Sequence, residues 1–263
     1  MLREIEKKGD KSMNRESNNT INQSEPLKSY KKDFSYSYTL GAFPTIELID
    51  ARPDMIRKVL IHTEYTDREH IEQLCASKRI PVEYNNKMIQ KVSDKENCFV
   101  VGVFEKYEDK LKNDLPHIVL VNPSNMGNLG TILRTAVGFG IYDLAIITPC
   151  ADIFNPKTVR SSMGALFRLR HQSFSTFEEY EEAYPEHELF TFMLNKDKTL
   201  TLSECPKPKL YTLVFGNEAT GLPSSFLNKG TSVMIPQSKD VDSLNLTIAV
   251  GIGAYAFSVG SDK

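Results

Sequence analysis

The chain has 263 residues, 40% of them hydrophobic and 25% charged, a composition that excludes collagen-like, coiled-coil-only and wholly disordered readings. Its length points to about two domains of roughly 100 to 150 residues, and its net charge of −2 gives no overall sign of a nucleic-acid binder, so charge must be read locally. No run approaches the ~18 consecutive apolar residues of a membrane span, and the polar start lacks the apolar core of a signal peptide; a cytoplasmic protein with no membrane partner is expected.

Residues 1–33 are dense in Asn, Ser, Lys and Glu, with eight Lys/Arg against six Asp/Glu, and read as a flexible charged arm. From Phe34 the pattern changes. Arg57 to His62 is a strand, Asp67 opens a helix with Ile71, Leu74 and Cys75 at helical spacing, and Pro81 to Tyr84 is a second strand. A short helix over Asn86 to Val92 and a buried strand over Cys98 to Phe104 follow. This alternation predicts a small α/β domain over 34–112, ending in a charged linker from Glu105 to Asp114.

A second domain over 116–263 repeats the alternation on a larger scale. Its strands are Ile118 to Val121, Leu144 to Thr148, Leu189 to Met193, Tyr211 to Phe215 and Ser232 to Ile235. Strands apolar on both sides suit a parallel sheet with helices on both faces. Lys157, Arg160, Arg168, Arg170 and His171 form an acid-free basic segment, whereas Glu178 to Glu188 holds six glutamates and reads as a solvated helix face. Cys75, Cys98, Cys150 and Cys205 lie far apart without a CxxC pair, which predicts reduced thiols and no metal site.

Three segments, each following a predicted strand, mix Gly, Asn and small polar residues where a parallel sheet presents its ligand edge. They are Asn122 to Ala136, Phe215 to Pro223 and Ile235 to Ala249. Glycine permits close approach and proline leaves carbonyls unpaired, so each offers open backbone groups to a small polar cofactor. A helix starting near Asn128 carries Arg134 between one and two turns further on, where its guanidinium can fork onto a phosphate or carboxylate. Glu218 lies between Gly216 and Gly221, and Ser243 and Asn245 stand at a helix start. One Arg, one Glu, one Ser and two Asn are thereby able to converge from three loops.

The patterns NxGxxxRTA at Asn128 to Ala136, FGNExxGLP at Phe215 to Pro223 and IPxxxxxxSLNLTIA at Ile235 to Ala249 resemble, in order and spacing, the three motifs of the SpoU (TrmH-like) branch of the SPOUT RNA methyltransferases. The resemblance covers about 116 to 259, and Phe34 to Phe104 is similar to the small ribosomal-protein-like RNA-binding domain that many members carry. It implies an α/β domain with a C-terminal trefoil knot, a topology outside the ordinary rules of chain connection, together with a homodimer. It also implies S-adenosylmethionine as cofactor and methyl transfer to a ribose 2′-hydroxyl, in ribosomal RNA ahead of transfer RNA. By position, the cofactor cradle carries over to Gly216, Asn217, Ile235, Leu244 and Asn245, and the catalytic set to Asn128, Arg134, Glu218, Ser243 and Asn245.

A guanidinium stays protonated at neutral pH. Arg134 is therefore read as gripping the target phosphate and stabilising the developing alkoxide, with Asn128 and Ser243 orienting the hydroxyl and Glu218 fixing Arg134. Lys157, Arg160, Arg168 and Arg170 are the expected phosphate contacts of this domain, and Lys78, Arg79, Lys87 and Lys91 those of the N-terminal one. Two other readings compete. A protein with this fold that binds RNA without catalysis is disfavoured by the intact set, and the GxGxxA at Gly251 to Ala256, a dinucleotide-site look-alike, is followed by only seven residues, too few for a βαβ unit.

Overall fold

A computed structural model describes residues 27–93, 97–193 and 199–258. The N-terminal unit comprises β1 (Tyr36–Leu40), α1 (Ala42–Ala51), β2 (Ile56–Ile61), α2 (Arg68–Ser77), β3 (Val82–Tyr84), α3 (Asn86–Val92) and β4 (Val100–Glu105). Its four-stranded sheet has the order β1-β4-β2-β3, with only the β2–β3 pair parallel. The second unit runs β5 (His117–Val121), α4 (Met126–Gly138), β6 (Asp143–Ile147), α5 (Pro156–Ser161), β7 (Arg170–Phe174), α6 (Phe177–Ala183), β8 (Glu188–Phe192), β9 (Thr199–Thr201), β10 (Tyr211–Phe215), β11 (Thr231–Met234) and α7 (Leu246–Ser258). These strands form one seven-stranded sheet, β7-β6-β5-β10-β8-β11-β9, parallel throughout.

The central strands, HIVLV, DLAII and YTLVF, are buried along their whole length. Because side chains alternate across a strand, Ile118, Leu120, Leu144, Ile146, Leu213 and Phe215 meet one face, together with Leu129, Leu133, Val159 and Val250 of α4, α5 and α7. Val119, Val121, Ala145 and Val214 face the other way, onto Phe177 and Tyr180 of α6. Helices therefore cover both faces, as the unbroken apolar strands predict. No described helix is long and apolar enough to cross a membrane.

In the chain path the structure departs from the sequence expectation in the arm, in the segment between the two units and at the start of α4. The arm folds before Phe34: Leu27 is buried against Tyr38 and Val101, Tyr38 Oη donates to the Lys28 carbonyl at 2.6 Å, and Lys106 Nζ donates to the Lys32 carbonyl at 2.8 Å. The part of the arm over 1–26 lies outside the described residues. The segment Glu105 to Asp114 is pinned instead of acting as a free linker, since Leu111 is buried and Asp109 takes a two-pronged ion pair from Arg52 at 2.6 and 3.1 Å. Helix α4 starts at Met126, two residues before Asn128, because the Asn125 side chain caps it by accepting from the amides of Gly127 and Asn128.

The two units share one core. Phe104 of β4 packs on Phe154 and Phe167, with ring centroids 6.2 and 5.2 Å apart. Ser37 Oγ donates to the Phe154 carbonyl at 2.5 Å, and Arg52 donates to the carbonyls of Phe167 and Leu169. Val59, Ile61 and Val100 belong to the same apolar cluster as Leu133 and Leu166.

Candidate active site

Strands β5 and β10 are sheet neighbours, yet the chain leaves β5 for β6 on one side while β8 and β11 lie on the other. The crevice beyond the C-terminal ends of two such strands is where open parallel sheets take ligands. Here the loops after β5 and β10 are bonded together. Glu218 Oε2 accepts from the Ser124 amide at 3.0 Å and from Ser124 Oγ at 2.8 Å, while Oε1 accepts from the Asn125 amide at 3.1 Å and from Asn128 Nδ2 at 3.3 Å. Burial alone would raise the Glu218 pKa, but the bonds from Ser124 and Asn125 outweigh it and hold the carboxyl below its ordinary range. The carboxylate thus stands ionised at the N-terminus of α4, where the helix dipole favours negative charge.

Asn217 reinforces the junction. Its Nδ2 donates to the Asn122 carbonyl at 2.7 Å, and its Oδ1 accepts from the amides of Ala219 and Thr220. Asn122 has a left-handed backbone, φ 53°, which asparagine tolerates better than most residues. Asn217 and Gly221 exchange backbone hydrogen bonds of 3.2 and 2.9 Å, folding the loop back on Gly216. A Cβ at Gly216 would lie 2.1 Å from the Gly221 carbonyl carbon, so only glycine permits this turn.

The third segment reaches the same edge through α7, which lies along α4: a Cβ at Gly251 would touch Thr135 Cγ2 at 3.6 Å, and the rings of Phe139 and Tyr255 meet at 5.8 Å. Asn245 is the N-cap of α7, its Oδ1 accepting from the Thr247 amide at 2.8 Å and Thr247 Oγ1 at 2.7 Å. Ser243 is exposed just before that cap. Gly216 is buried directly after β10, and Ile235 and Leu244 are half-buried at the two ends of the loop from β11 to α7.

Arg134 is exposed on α4, about 9 Å along the axis from Asn128. It shares a stripe with Gly127 and Thr131, and Asn128 lies to one side of that stripe. The expected contact with Glu218 is not formed. Both carboxylate oxygens are engaged by Ser124, Asn125 and Asn128, so Glu218 orders the loop and Asn128 instead of the guanidinium. Ser124 and Asn125 escaped notice in the sequence, although both lie in the Asn-Pro-Ser-Asn turn that marks the first segment.

The expected RNA contacts divide into groups. Lys91, Lys157 and Arg160 line one cavity of about 340 Å³ between the two units. Lys78, Arg79 and Lys87 are exposed on the N-terminal unit. Arg168 and Arg170 are engaged internally: Arg168 Nε meets Glu47 at 2.6 Å, and Arg170 forks onto the fully buried Asp143 at 2.5 and 2.7 Å. The Arg170 fork is committed to a buried carboxylate, whereas Arg168, about half exposed, meets Glu47 through Nε alone.

The model of the SpoU rRNA Methylase family matches residues 116–255. An uncharacterised tRNA/rRNA methyltransferase of Synechocystis is 35% identical over 52% of this chain and 51% of its own length. The 23S rRNA (guanosine(2553)-2′-O)-methyltransferase of Bacillus subtilis is 26% identical over 59% of this chain and 63% of its own. The chain thus spans less than two thirds of these relatives. An AdoMet-bound rRNA methyltransferase from Sinorhizobium meliloti has a crystal structure similar to this one, with a TM-score of 0.73 over 85% of this chain and 87% of that chain; at 24% identity the likeness is one of fold.

Proposed function

Because the chain belongs to the SpoU rRNA Methylase family, we propose that it transfers a methyl group from S-adenosylmethionine to a ribose 2′-hydroxyl of RNA, ribosomal RNA ahead of transfer RNA. The observation that carries this reading is that the loops after β5, β10 and β11 leave the same edge of a parallel sheet, the first two joined through Glu218 beside Asn128. The residues fit the cofactor. Gly216, followed by Asn217, forms a close backbone cradle that a Cβ would fill, Ile235 and Leu244 lie at the ends of the loop from β11 to α7, where Asn245 follows, and the relative from Sinorhizobium meliloti is described as AdoMet-bound. When bound, S-adenosylmethionine supplies a methyl group activated by its positively charged sulfur.

A ribose hydroxyl is a poor nucleophile at neutral pH, so the chain must place its oxygen in line with that methyl carbon and stabilise the charge that develops as the proton leaves. Arg134 supplies a fixed positive charge at an exposed position on α4 and holds the target phosphate. Asn128, oriented by Glu218, and Ser243 hydrogen-bond the hydroxyl. Glu218 acts at one remove, as a positioning residue.

The same reading extends to the trefoil knot and the homodimer. Supporting the knot, α7 follows β11, on the far side of β8, and returns across the sheet to α4. Supporting the dimer, Ile248 and Tyr255 of α7 are 52% and 56% exposed beside Phe139 of α4, an apolar face suited to a second copy.

Incubation with labelled S-adenosylmethionine and separate pools of ribosomal and transfer RNA, followed by digestion to nucleosides, tests the reaction. Label in a 2′-O-methylated nucleoside from ribosomal RNA is expected, and label from transfer RNA alone would reassign the substrate. Absence of both cofactor binding and label would reject the enzyme.

A further inference from the structure

The cavity lined by Lys91, Lys157 and Arg160 is open on one side and has no Asp or Glu in its wall. Lys91 comes from the last turn of α3, Lys157 and Arg160 from α5, and Ser29 and Tyr30 from the segment before β1. Among the described residues Arg52, Arg57, Lys58, Arg168, Arg170 and Lys229 find carboxylates, whereas the three cations of this wall stand together without one. Among the described residues, these three make no ion pair. Gathering three like charges around about 340 Å³ costs free energy unless an anion offsets it.

The arrangement keeps the nearby acid away from that role. Asp152, just ahead of α5, accepts from the Tyr30 hydroxyl and from the Phe154 amide. Lys106 lies over the Tyr30 ring, its Nζ 4.8 Å from the ring centroid. Tyr30 is thereby fixed as a neutral wall. Helix α5 packs tightly on α4, where a Cβ at Gly130 would lie 2.5 Å from the Thr158 carbonyl oxygen. The cavity therefore shares α5 as a wall with the packing around the helix that carries Asn128 and Arg134, and no residue of that helix lines it.

We propose that this cavity is a phosphate-binding cleft that grips the backbone of a single-stranded segment flanking the methylation target, so that one RNA strand touches both units. The inference rests on the reading of the chain as an RNA methyltransferase. Lysine and arginine contacts to phosphate fix the register of a strand without reading its bases, and single-stranded RNA is the form whose bases remain free to reach a second site.

The test is binding of a short mixed-sequence single-stranded RNA, measured across a salt series, by the full chain and by its Lys91→Gln/Lys157→Gln variant. Both side chains are exposed, and the bond that Ser29 Oγ makes is to the Lys91 carbonyl, which survives the change. Affinity should fall about tenfold at low salt, and the slope of log affinity against log salt should become shallower by roughly 1.4, about 0.7 for each cation removed. Lys91→Arg/Lys157→Arg should restore both. Lys209→Glu, an exposed change just before the central strand β10 and away from the cavity lining, should change affinity less than twofold. In transfer assays the Gln variant should raise the KM for RNA and leave kcat and cofactor affinity unchanged.

An unchanged salt slope, or a loss no larger than that of Lys209→Glu, would overturn the cleft while leaving the methyltransferase reading intact. If the unaltered chain binds no RNA, both fall together.

Discussion

Polar side chains gather at both ends of the seven-stranded sheet, but they are used in opposite ways. At the N-terminal end they are buried and bonded to one another. His117 Nδ1 meets Tyr180 Oη at 2.9 Å, Tyr180 Oη meets Thr212 Oγ1 at 2.6 Å, and Thr212 Oγ1 meets His187 Nδ1 at 2.9 Å, with Asp143 and Arg170 forked alongside. Burial, and for His117 the neighbouring His187, holds both imidazoles below their ordinary range, so they stay neutral. At the C-terminal end Ser124, Asn125, Ser243 and Asn245 are exposed, and the bonds of Glu218 order a loop whose other groups face outward. A closed network contributes stability, whereas an open one leaves donors and acceptors for a ligand.

Substitutions at the two ends should therefore separate stability from turnover. The largest effect is expected from Asp143→Ala, which leaves the Arg170 guanidinium without its partner: urea unfolding should show a loss of about 3–5 kcal/mol. Turnover per folded molecule should be unchanged at low temperature, and a comparable drop in turnover would break the contrast. Arg134→Lys should do the reverse, lowering methyl transfer by about 10²–10³-fold while stability and cofactor affinity hold. Unchanged turnover would remove Arg134 from the chemistry.

Acid should act on the buried imidazoles first. His171 packs between Tyr107 and Phe154, and burial lowers its pKa from 6.5 to about 4. The unfolded chain binds this proton more readily than the native one, so stability is full above pH ~6.5 and declines toward pH ~4, by up to about 3 kcal/mol for this ring. Thermal unfolding followed across that window checks the sign, and a flat profile would contradict it.

Glu218→Gln keeps the shape but loses the charge that four donors share, and should cost about 1–2 kcal/mol of stability. It should also cost roughly tenfold in transfer through disorder at Asn128; a change in stability alone would make Glu218 purely structural. The smallest effect expected is a gain. Among the described residues neither ring nitrogen of His171 has a hydrogen-bond partner, so His171→Phe should stabilise by about 1 kcal/mol at pH 7 and flatten the acid decline. A lower melting temperature would show that the ring nitrogens are satisfied.

The strands and the three ligand-edge loops were legible because their signals are local: apolar runs for β5, β6, β8, β10 and β11, and Gly, Asn and Pro where the backbone turns. Elements with mixed signals were not. β7, RHQSF, lies at the sheet edge and reads as polar, and β9 is a three-residue edge strand. β1 buries Ser37 and Thr39. Helix α1 carries Pro44, a breaker by composition, but Pro44 stands in the first turn, where an amide donor is not needed. The partners of Glu218 were invisible because they depend on β5 lying beside β10, and the sequence distance between Asn128 and Glu218 is 90 residues. Charge pattern likewise did not distinguish Arg160, which faces a cavity, from Arg170, which faces a buried carboxylate.

The continuous core between the two units has a mechanical consequence. Phe104 wedged against Phe154 and Phe167, together with the Arg52 and Ser37 bonds across the junction, resists the swinging of one half on a hinge. The lysine-lined hollow and the crevice at Glu218 are then held like the jaws of a caliper locked at one setting, so a strand engaging both, as proposed above, would meet a fixed span.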